Sequence, residues 1–385
     1  MAENISVPLT SPDLSQKLFT QARTALKRQE FDKAIDILHR ILSVDPKFIQ
    51  VRFALGEAYL RLKKYDQATY HFKLVLAQNI PPQIARIIRK HLSFINRQKI
   101  WQISYGGNIT PQSNANGGSH ESVVLIGGIP FKLNESSLAQ SGLSINANGA
   151  VVIAPQLNGD IYGHFKLYAS GNYLPSSKQL NFNVGGEAGL SLKQKTNHYS
   201  LGLGYKKQFF DRAPYSDTLE LWGRWQKLLT NNLNWSGQAV IAKTDFENLT
   251  GNEYDFTLSQ SLNYEHDANI GFNLASTLSY TRSRSQKNDK ANVGLTVTTR
   301  HSLPHYFTIN PHVTAGYDHY FQKNGIFNKK RKNLKFGTGL KITNSKFKIL
   351  DFAPYIQYNF EYKHSNISLY STQNHSVSLG LTAKF

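Results

Sequence analysis

The chain has 385 residues, room for two domains, and carries 44 Lys+Arg against 25 Asp+Glu, a formal net charge of +19. Cysteine is absent, which excludes a disulfide framework and thiol chemistry, and no run approaches the roughly 18–20 apolar residues of a membrane-spanning helix. The positive field favours anionic partners, yet no nucleic-acid motif accompanies it, so no nucleic acid is expected.

Residues 12–98 are predicted to form a tetratricopeptide-repeat domain. Phe31, Ala34, Leu38 and Pro46 correspond, at a period of 34, to Tyr65, Ala68, Phe72 and Ile80, with Pro81 following. Ala22 matches Gly56, and small residues at these places let paired helices approach closely. Residues 83–95 form a third, amphipathic helix suited to capping the stack. First helices of such pairs line a concave face. That assigns a mixed groove, suited to a short peptide or the edge of a client protein, to Gln16, Phe19, Arg23, Leu26 and Lys27, and to Gln50, Phe53, Glu57, Leu60 and Arg61 at the same offset. An unrelated helical hairpin array is the rival reading, and any one groove residue has the alternative of packing between hairpins or facing water. Residues 1–100 hold 17 Lys+Arg and 8 Asp+Glu, so 17 − 8 = +9 of the net charge.

From residue 99 the apolar period changes to two, which marks strands. Strands are predicted near 99–109, 142–153, 159–172, 178–193, 196–208, 214–228 and 231–243, then 252–264, 269–282, 290–301, 306–319, 331–343, 347–362 and 374–385. That makes about fourteen, an even number, as a transmembrane barrel of the bacterial outer membrane requires. Every second connection is short: 155–158, 194–195, 230, 267–268, 303–305 and 345–346. The opposite set includes most of the long ones, at 110–141, 244–251, 283–289, 320–330 and 363–373, while two of its members, near Tyr173 and Asp211, are short and fit this pattern less well. Short turns on the periplasmic side and longer loops outside are the outer-membrane asymmetry. They place the helical domain and the C-terminus in the periplasm. Twenty Tyr and 22 Phe suit aromatic girdles, to which Trp222, Trp225, Trp235, Tyr280 and Tyr358 are assigned. A soluble β-sandwich is the rival fold, disfavoured because many strands exceed ten residues.

The last strand, Val377 to Phe385, alternates apolar and polar residues and ends on an aromatic. A barrel needs such a strand to pair with the first and face lipid. The seam is therefore assigned to Trp101, Tyr105 and Asn108 on one side and Leu379, Leu381 and Phe385 on the other. Met1-Ala2-Glu3-Asn4 has no basic and apolar leader. For a barrel this predicts that a leader has been removed and that the gene encodes one. Insertion by the barrel assembly machinery follows from the same reading.

No catalytic or metal constellation stands out, and no cofactor is expected. His301 and His305 stand four apart, but Pro304 interrupts any helix between them. Gly106-Gly107 precedes no helix that would complete a phosphate cradle. Lys329-Lys330-Arg331-Lys332 is either a solvated loop or a contact to lipopolysaccharide phosphates. The apolar stretch Val123 to Phe131, inside the longest outer loop, must cover something: as a lumen plug, on the rim, or against a client.

Together these features resemble the surface lipoprotein assembly modulator family, the outer-membrane translocators of type XI secretion. The resemblance is carried by the 34-residue pair ending near Phe72, the junction Trp101 to Asn108, the apolar first loop through Gly128-Ile129-Pro130-Phe131, and the terminal strand. It implies a non-enzymatic, monomeric translocator in the Gram-negative outer membrane. Its partners would be a periplasmic client, either a surface lipoprotein or a secreted haem-binding protein, with outer-membrane lipid around the barrel. A porin or polysaccharide-export pore with a helical accessory domain is the alternative, and an outer-membrane enzyme a third reading.

Overall fold

The computed structural model describes residues 12–46, 48–78, 80–98, 100–247, 251–267, 269–284, 289–344 and 353–384. The chain divides into two compact units, Met1–Lys99 and Ile100–Phe385.

The first unit is five helices: α1 (Pro12–Lys27), α2 (Phe31–Val44), α3 (Ile49–Arg61), α4 (Tyr65–Leu76) and α5 (Pro82–Gln98). Two helical hairpins, α1–α2 and α3–α4, repeat down to their turns. Gln29 and Lys63, which are 34 residues apart, both take left-handed backbone (φ 62° and 58°). Equivalent amides close the helix ends there, Glu30 onto the Ala25 carbonyl and Lys64 onto the Tyr59 carbonyl, each at 2.9 Å. The small residues do the work expected of them. Ala22, Ala34 and Ala68 are fully buried, and a Cβ on Gly56 would stand 2.6 Å from the Phe72 ring. Ile88 and Ile95 of α5 are equally buried, so α5 closes the stack with one apolar stripe.

The second unit is a closed antiparallel barrel of fourteen strands. In chain order they are β1 (Trp101–Gln112), β2 (Gly142–Ile153), β3 (Ile161–Leu174), β4 (Gln179–Lys193), β5 (Asn197–Phe210), β6 (Ala213–Leu228) and β7 (Leu233–Phe246). They continue as β8 (Asn252–Glu265), β9 (Ile270–Ser283), β10 (Lys290–Ser302), β11 (Phe307–Lys323), β12 (Lys330–Asn344), β13 (Ala353–Ser365) and β14 (Thr372–Lys384). Each strand pairs with its sequence neighbours, and β1 with β14 completes the ring. Closure leaves no unpaired edge, the condition for backbone to cross a bilayer. Fourteen residues at ~3.3 Å each, tilted ~40°, rise roughly 35 Å, enough for a ~30 Å hydrocarbon core.

Alternation sorts the side chains by face. Leu167, Leu201, Leu203 and Leu334 point outward and are more than half exposed, a cost that only a lipid surround removes. Between them Ser, Thr, Asn and Gly line the lumen. Trp225 and Trp235 face outward with their rings 5.8 Å apart, as a girdle near the end where β1 begins. Trp222 departs from the girdle assignment. It pairs with Gly202, in phase with Arg224, and is 1% exposed on the lumen wall. Leu221 and Trp222 are adjacent, so one of the two apolar residues has to face inward.

The connections at the end where β1 begins run 154–160, 194–196, 229–232, 266–269 and 303–306, the first of them carrying a three-residue strand, Gln156–Asn158, that pairs back onto β3. At the far end the strands run further than the sequence indicated, leaving connections of only 175–178, 211–212, 247–251, 284–289, 324–329 and 366–371. The difference in loop length rests chiefly on residues 113–141. The short turn expected at 345–346 falls outside the described residues.

Candidate functional site

Among the described residues the junction that closes the barrel has the fewest cross-strand pairs, although β10–β11 also skips two residues, at Thr299 and Arg300. β1 pairs with β2 without a break from Trp101 to Gln112. Towards β14, among the described residues, it pairs from Ser104 to Ile109 and again at Gln112 opposite Ser376. Pro111 has no N–H to give to the ladder at the gap. Gly106, Gly107 and Gly380 lie along the same few residues, so side-chain packing across the junction is thin. Leu379 and Leu381 face lipid opposite Ile109 and Gly107, and Tyr105 pairs with Ala383. Trp101 is outward and half exposed but pairs with Ile153 of β2, below the last described residue of β14. Phe385 lies outside the described residues.

On the lumen side a polar strap crosses this weak junction. A Cβ on Gly380 would stand 2.5 Å from the Tyr355 ring, so the ring of β13 lies directly over β14. Its hydroxyl accepts from Asn108 Nδ2 of β1 at 3.1 Å. Asn146 Nδ2 of β2 donates to Asn108 Oδ1 at 2.9 Å, and Asn172 Nδ2 of β3 donates to Asn146 Oδ1 at 2.7 Å. The Thr110 and Ser378 hydroxyls meet at 2.8 Å across the seam itself. Five consecutive strands are thereby tied by side chains where the backbone ladder is poorest.

The first loop clasps the far end of the seam. Ser113 N–H donates to the His375 carbonyl and Asn114 N–H to Asn374 Oδ1, at 2.9 and 3.0 Å. His120 N–H reaches the Ser371 carbonyl at 2.9 Å. Within this loop Val123–Ile126 and Ile129–Lys132 pair as a hairpin. Gly127 and Gly128 turn it with φ of 60° and 88°, the positive values a two-residue turn demands. Val124 is buried and so is Ile367 of the β13–β14 connection, whereas Leu125, Ile129 and Phe131 remain exposed. The hairpin packs against the β13–β14 connection, and its exposed apolar side chains leave the client-binding reading open.

The lumen holds charge in compensated clusters. Glu187 binds Lys166 and Arg224, each at 2.7 Å, and Arg224 stacks on Trp222 at 4.1 Å. Asp318 binds Lys335 at 2.7 Å and accepts from Asn292 and Asn333. Lumenal aromatics lie flat over glycines of the next strand, Tyr168 on Gly185 and Trp222 on Gly202, as Tyr355 does on Gly380. Each also sits beneath a cation: Lys166, Arg224 and Lys341 respectively. Their faces are covered, so they offer no open stacking track for sugar rings. Among the described residues no group of three metal-ligating side chains assembles.

In the helical unit Gln16, Arg23 and Lys27 of α1 and Gln50, Glu57 and Arg61 of α3 are all exposed. Phe19 and Phe53 are half-buried, packed 5.6 Å from Phe48 and 6.0 Å from Phe72. His91 of α5 stacks on Phe72 and comes within 4.0 Å of Glu57. The Glu57 side chain is only about half exposed, and that partial burial raises its carboxyl above the usual range, against the pull of Arg61. Sequence reasoning missed the cluster behind these helices. His39 Nε2 meets the Tyr59 hydroxyl at 2.8 Å, and Tyr59 stacks on buried His71. Burial first, then His39 and Arg52, hold the His71 imidazole down to about 4. The 34-residue pattern marks these positions only as helical, because it reports small and apolar sites.

The sequence model of the surface lipoprotein assembly modifiers matches residues 101–385, all fourteen strands. The chain belongs to this family. A tetratricopeptide-repeat model matches residues 25–87. Two relatives carry the family's name. That of Moraxella catarrhalis is 28% identical over 98 residues, covering 26% of this chain and 20% of the relative. That of Pasteurella multocida (strain Pm70) is 22% identical over 178 residues, covering 46% and 35%. The matched part is thus a fifth to about a third of those relatives' length. Among solved structures, a bacterial polysaccharide outer membrane secretin has a TM-score of 0.39 at 12% identity, covering 74% of this chain and 98% of that one. OmpT of Vibrio cholerae has 0.41 at 7%, covering 75% and 98%. Neither likeness bears on what this barrel carries. As a surface lipoprotein assembly modifier, the chain is an outer-membrane β-barrel preceded by a tetratricopeptide domain.

Proposed function

We propose that this chain is a non-catalytic outer-membrane translocator. Its helical domain, in the periplasm, gathers a client, and the barrel delivers that client to the cell surface past the β1–β14 seam. The client is a surface lipoprotein or a secreted haem-binding protein. The β1–β14 junction carries this reading: among the described residues it has the fewest cross-strand pairs, so a closed wall separates there at the least cost in backbone pairing. The Tyr355–Asn108 strap and the loop clasp then hold the wall shut at rest. Chain connection supports the periplasmic assignment, because α5 ends at Gln98 and β1 begins at Trp101. With no nucleotide motif in the chain, direction comes from client folding or binding outside. A passive saccharide pore fits less well, since the lumenal aromatics are capped by cations.

The test uses the absence of native cysteine. Ile109 and Leu379 are direct cross-strand partners, at a spacing that a disulfide bridges once the two are replaced by cysteine. Ile109→Cys/Leu379→Cys, oxidised, is expected to stop surface display of the client, and reductant to restore it. Display that continues with the seam locked would eliminate the lateral route.

A further inference from the structure

Outside the barrel, the far end of β8–β11 carries a groove of about 360 Å³, within the ~300–1,000 Å³ range of ligand-holding clefts. Its outward wall is Phe256, Leu278, Tyr280, Val293, Tyr317 and His319. Phe321 packs 5.9 Å from Tyr280 and 5.2 Å from His319 and extends this apolar and aromatic wall. Cations stand immediately above it. Lys332 of β12 is the cross-strand partner of His319, and Leu334 that of Tyr317. Arg282 lies two residues beyond Tyr280 on the same face of β9, ~7 Å further along.

Lys323 and Lys330 face each other as direct cross-strand partners. Like charges placed so are destabilising unless an anion lies between or above them. Asp289, opposite Arg282 by register, accepts from the Ser283 N–H at 2.7 Å, and among the described residues no ion pair joins a carboxylate to Arg282, Lys323, Lys330 or Lys332. The rim of β5–β7 is the contrast. There Lys207 is bound by Asp217 at 3.0 Å and Glu247 at 3.3 Å, and Lys243 by Asp245 at 2.9 Å. One rim is neutralised internally and the other is left cationic above an apolar groove.

We infer that β9–β12 form a specific site for the phosphorylated, multiply acylated glycolipid of the outer leaflet, lipid A. An acyl chain lies in the Leu278–Val293 groove, and the sugar phosphates are bound by Arg282, Lys330 and Lys332. Charge-assisted contacts to phosphate are the strong class of hydrogen bond, and such cations snorkel from the hydrocarbon to the headgroup level. An anion without chains would leave the groove empty. An anionic phospholipid would meet only part of the cation row, because its single phosphate spans less than a disaccharide with one at each end. The inference rests on the proposed function only in taking the far end as the cell exterior.

Native mass spectrometry of the full chain in detergent, titrated with purified lipid A, tests it. Arg282→Glu/Lys330→Glu/Lys332→Glu is expected to weaken lipid A binding at least tenfold. Lys243→Glu on the neutralised rim should change it less than twofold. Phosphatidylglycerol and dephosphorylated lipid A should each bind wild type at least tenfold more weakly than lipid A. Wild-type affinity in the triple variant, or equal binding of phosphatidylglycerol, would overturn the site. Should the triple variant not fold, Val293→Trp decides: it fills the groove, leaves the charges, and must also cost tenfold. Absence of client export by a wild-type chain that binds lipid A would count against the translocator alone. The reverse result would count against this site alone.

Discussion

His71 shows how a single buried side chain sets the conditions under which the helical domain holds. The unfolded chain takes up a proton on this residue near pH 6.5, whereas the folded domain does so only near 4. The stability tied to neutral His71 is therefore complete above pH 6.5 and is lost as pH falls from there to about 4. His91, lowered by burial and then by Arg61, adds in the same direction. Helix melting followed by circular dichroism on the full chain should lose on the order of 2–3 kcal/mol between pH 7 and pH 4.5. His71→Leu should flatten most of that slope. An unchanged slope would mean that other groups control acid sensitivity. None of this was legible in the sequence, where His39, Tyr59 and His71 lie on three different helices.

Among elements, the seam strands show what a period-two pattern reads well and what it reads poorly. Val377, Leu379 and Leu381 announce the lipid face of β14 correctly, and Asn108 falls on its lumen face by the same alternation. Alternation does not reveal that the Tyr355 ring crosses a glycine to reach a strand two places away. Tyr355→Phe removes that one hydrogen bond while keeping the ring over Gly380. Hydrogen exchange at the amides of β1 and β14 should then quicken about fivefold, for a bond worth ~1 kcal/mol. Exchange equal to wild type at the seam would show that the strap does not hold it. Trp222 marks the opposite difficulty. Two adjacent apolar residues leave the phase of a strand open, and only the pairing of Trp222 with Gly202, beneath Arg224 and beside His164, puts it inside.

At the scale of the whole molecule, two units of different design share one chain. Each has its own source of stability, a packed core of alanine, leucine and phenylalanine in one and a closed hydrogen-bonded ring in the other. The barrel should therefore survive loss of the helices. Removing residues 1–98 should leave a heat-modifiable barrel in the outer membrane but abolish client display, scored by surface labelling of cells. Undiminished display from the truncated chain would remove the recruiting role of the α1 and α3 groove.

The sequence by itself determined the class of each unit, because periods of 34 and of two are local records of which side chains must be buried or meet lipid. It also determined the strand count, and with an even count a closed ring. Tertiary structure alone decided where that ring is weak. The gap beside Pro111 and the strap over Gly380 are relations between residues some 250 positions apart, brought together only by closure. The groove beneath Lys330 and Lys332 is likewise a property of neighbouring strands. Each of those strands, taken singly, shows no more than alternating apolar and polar residues.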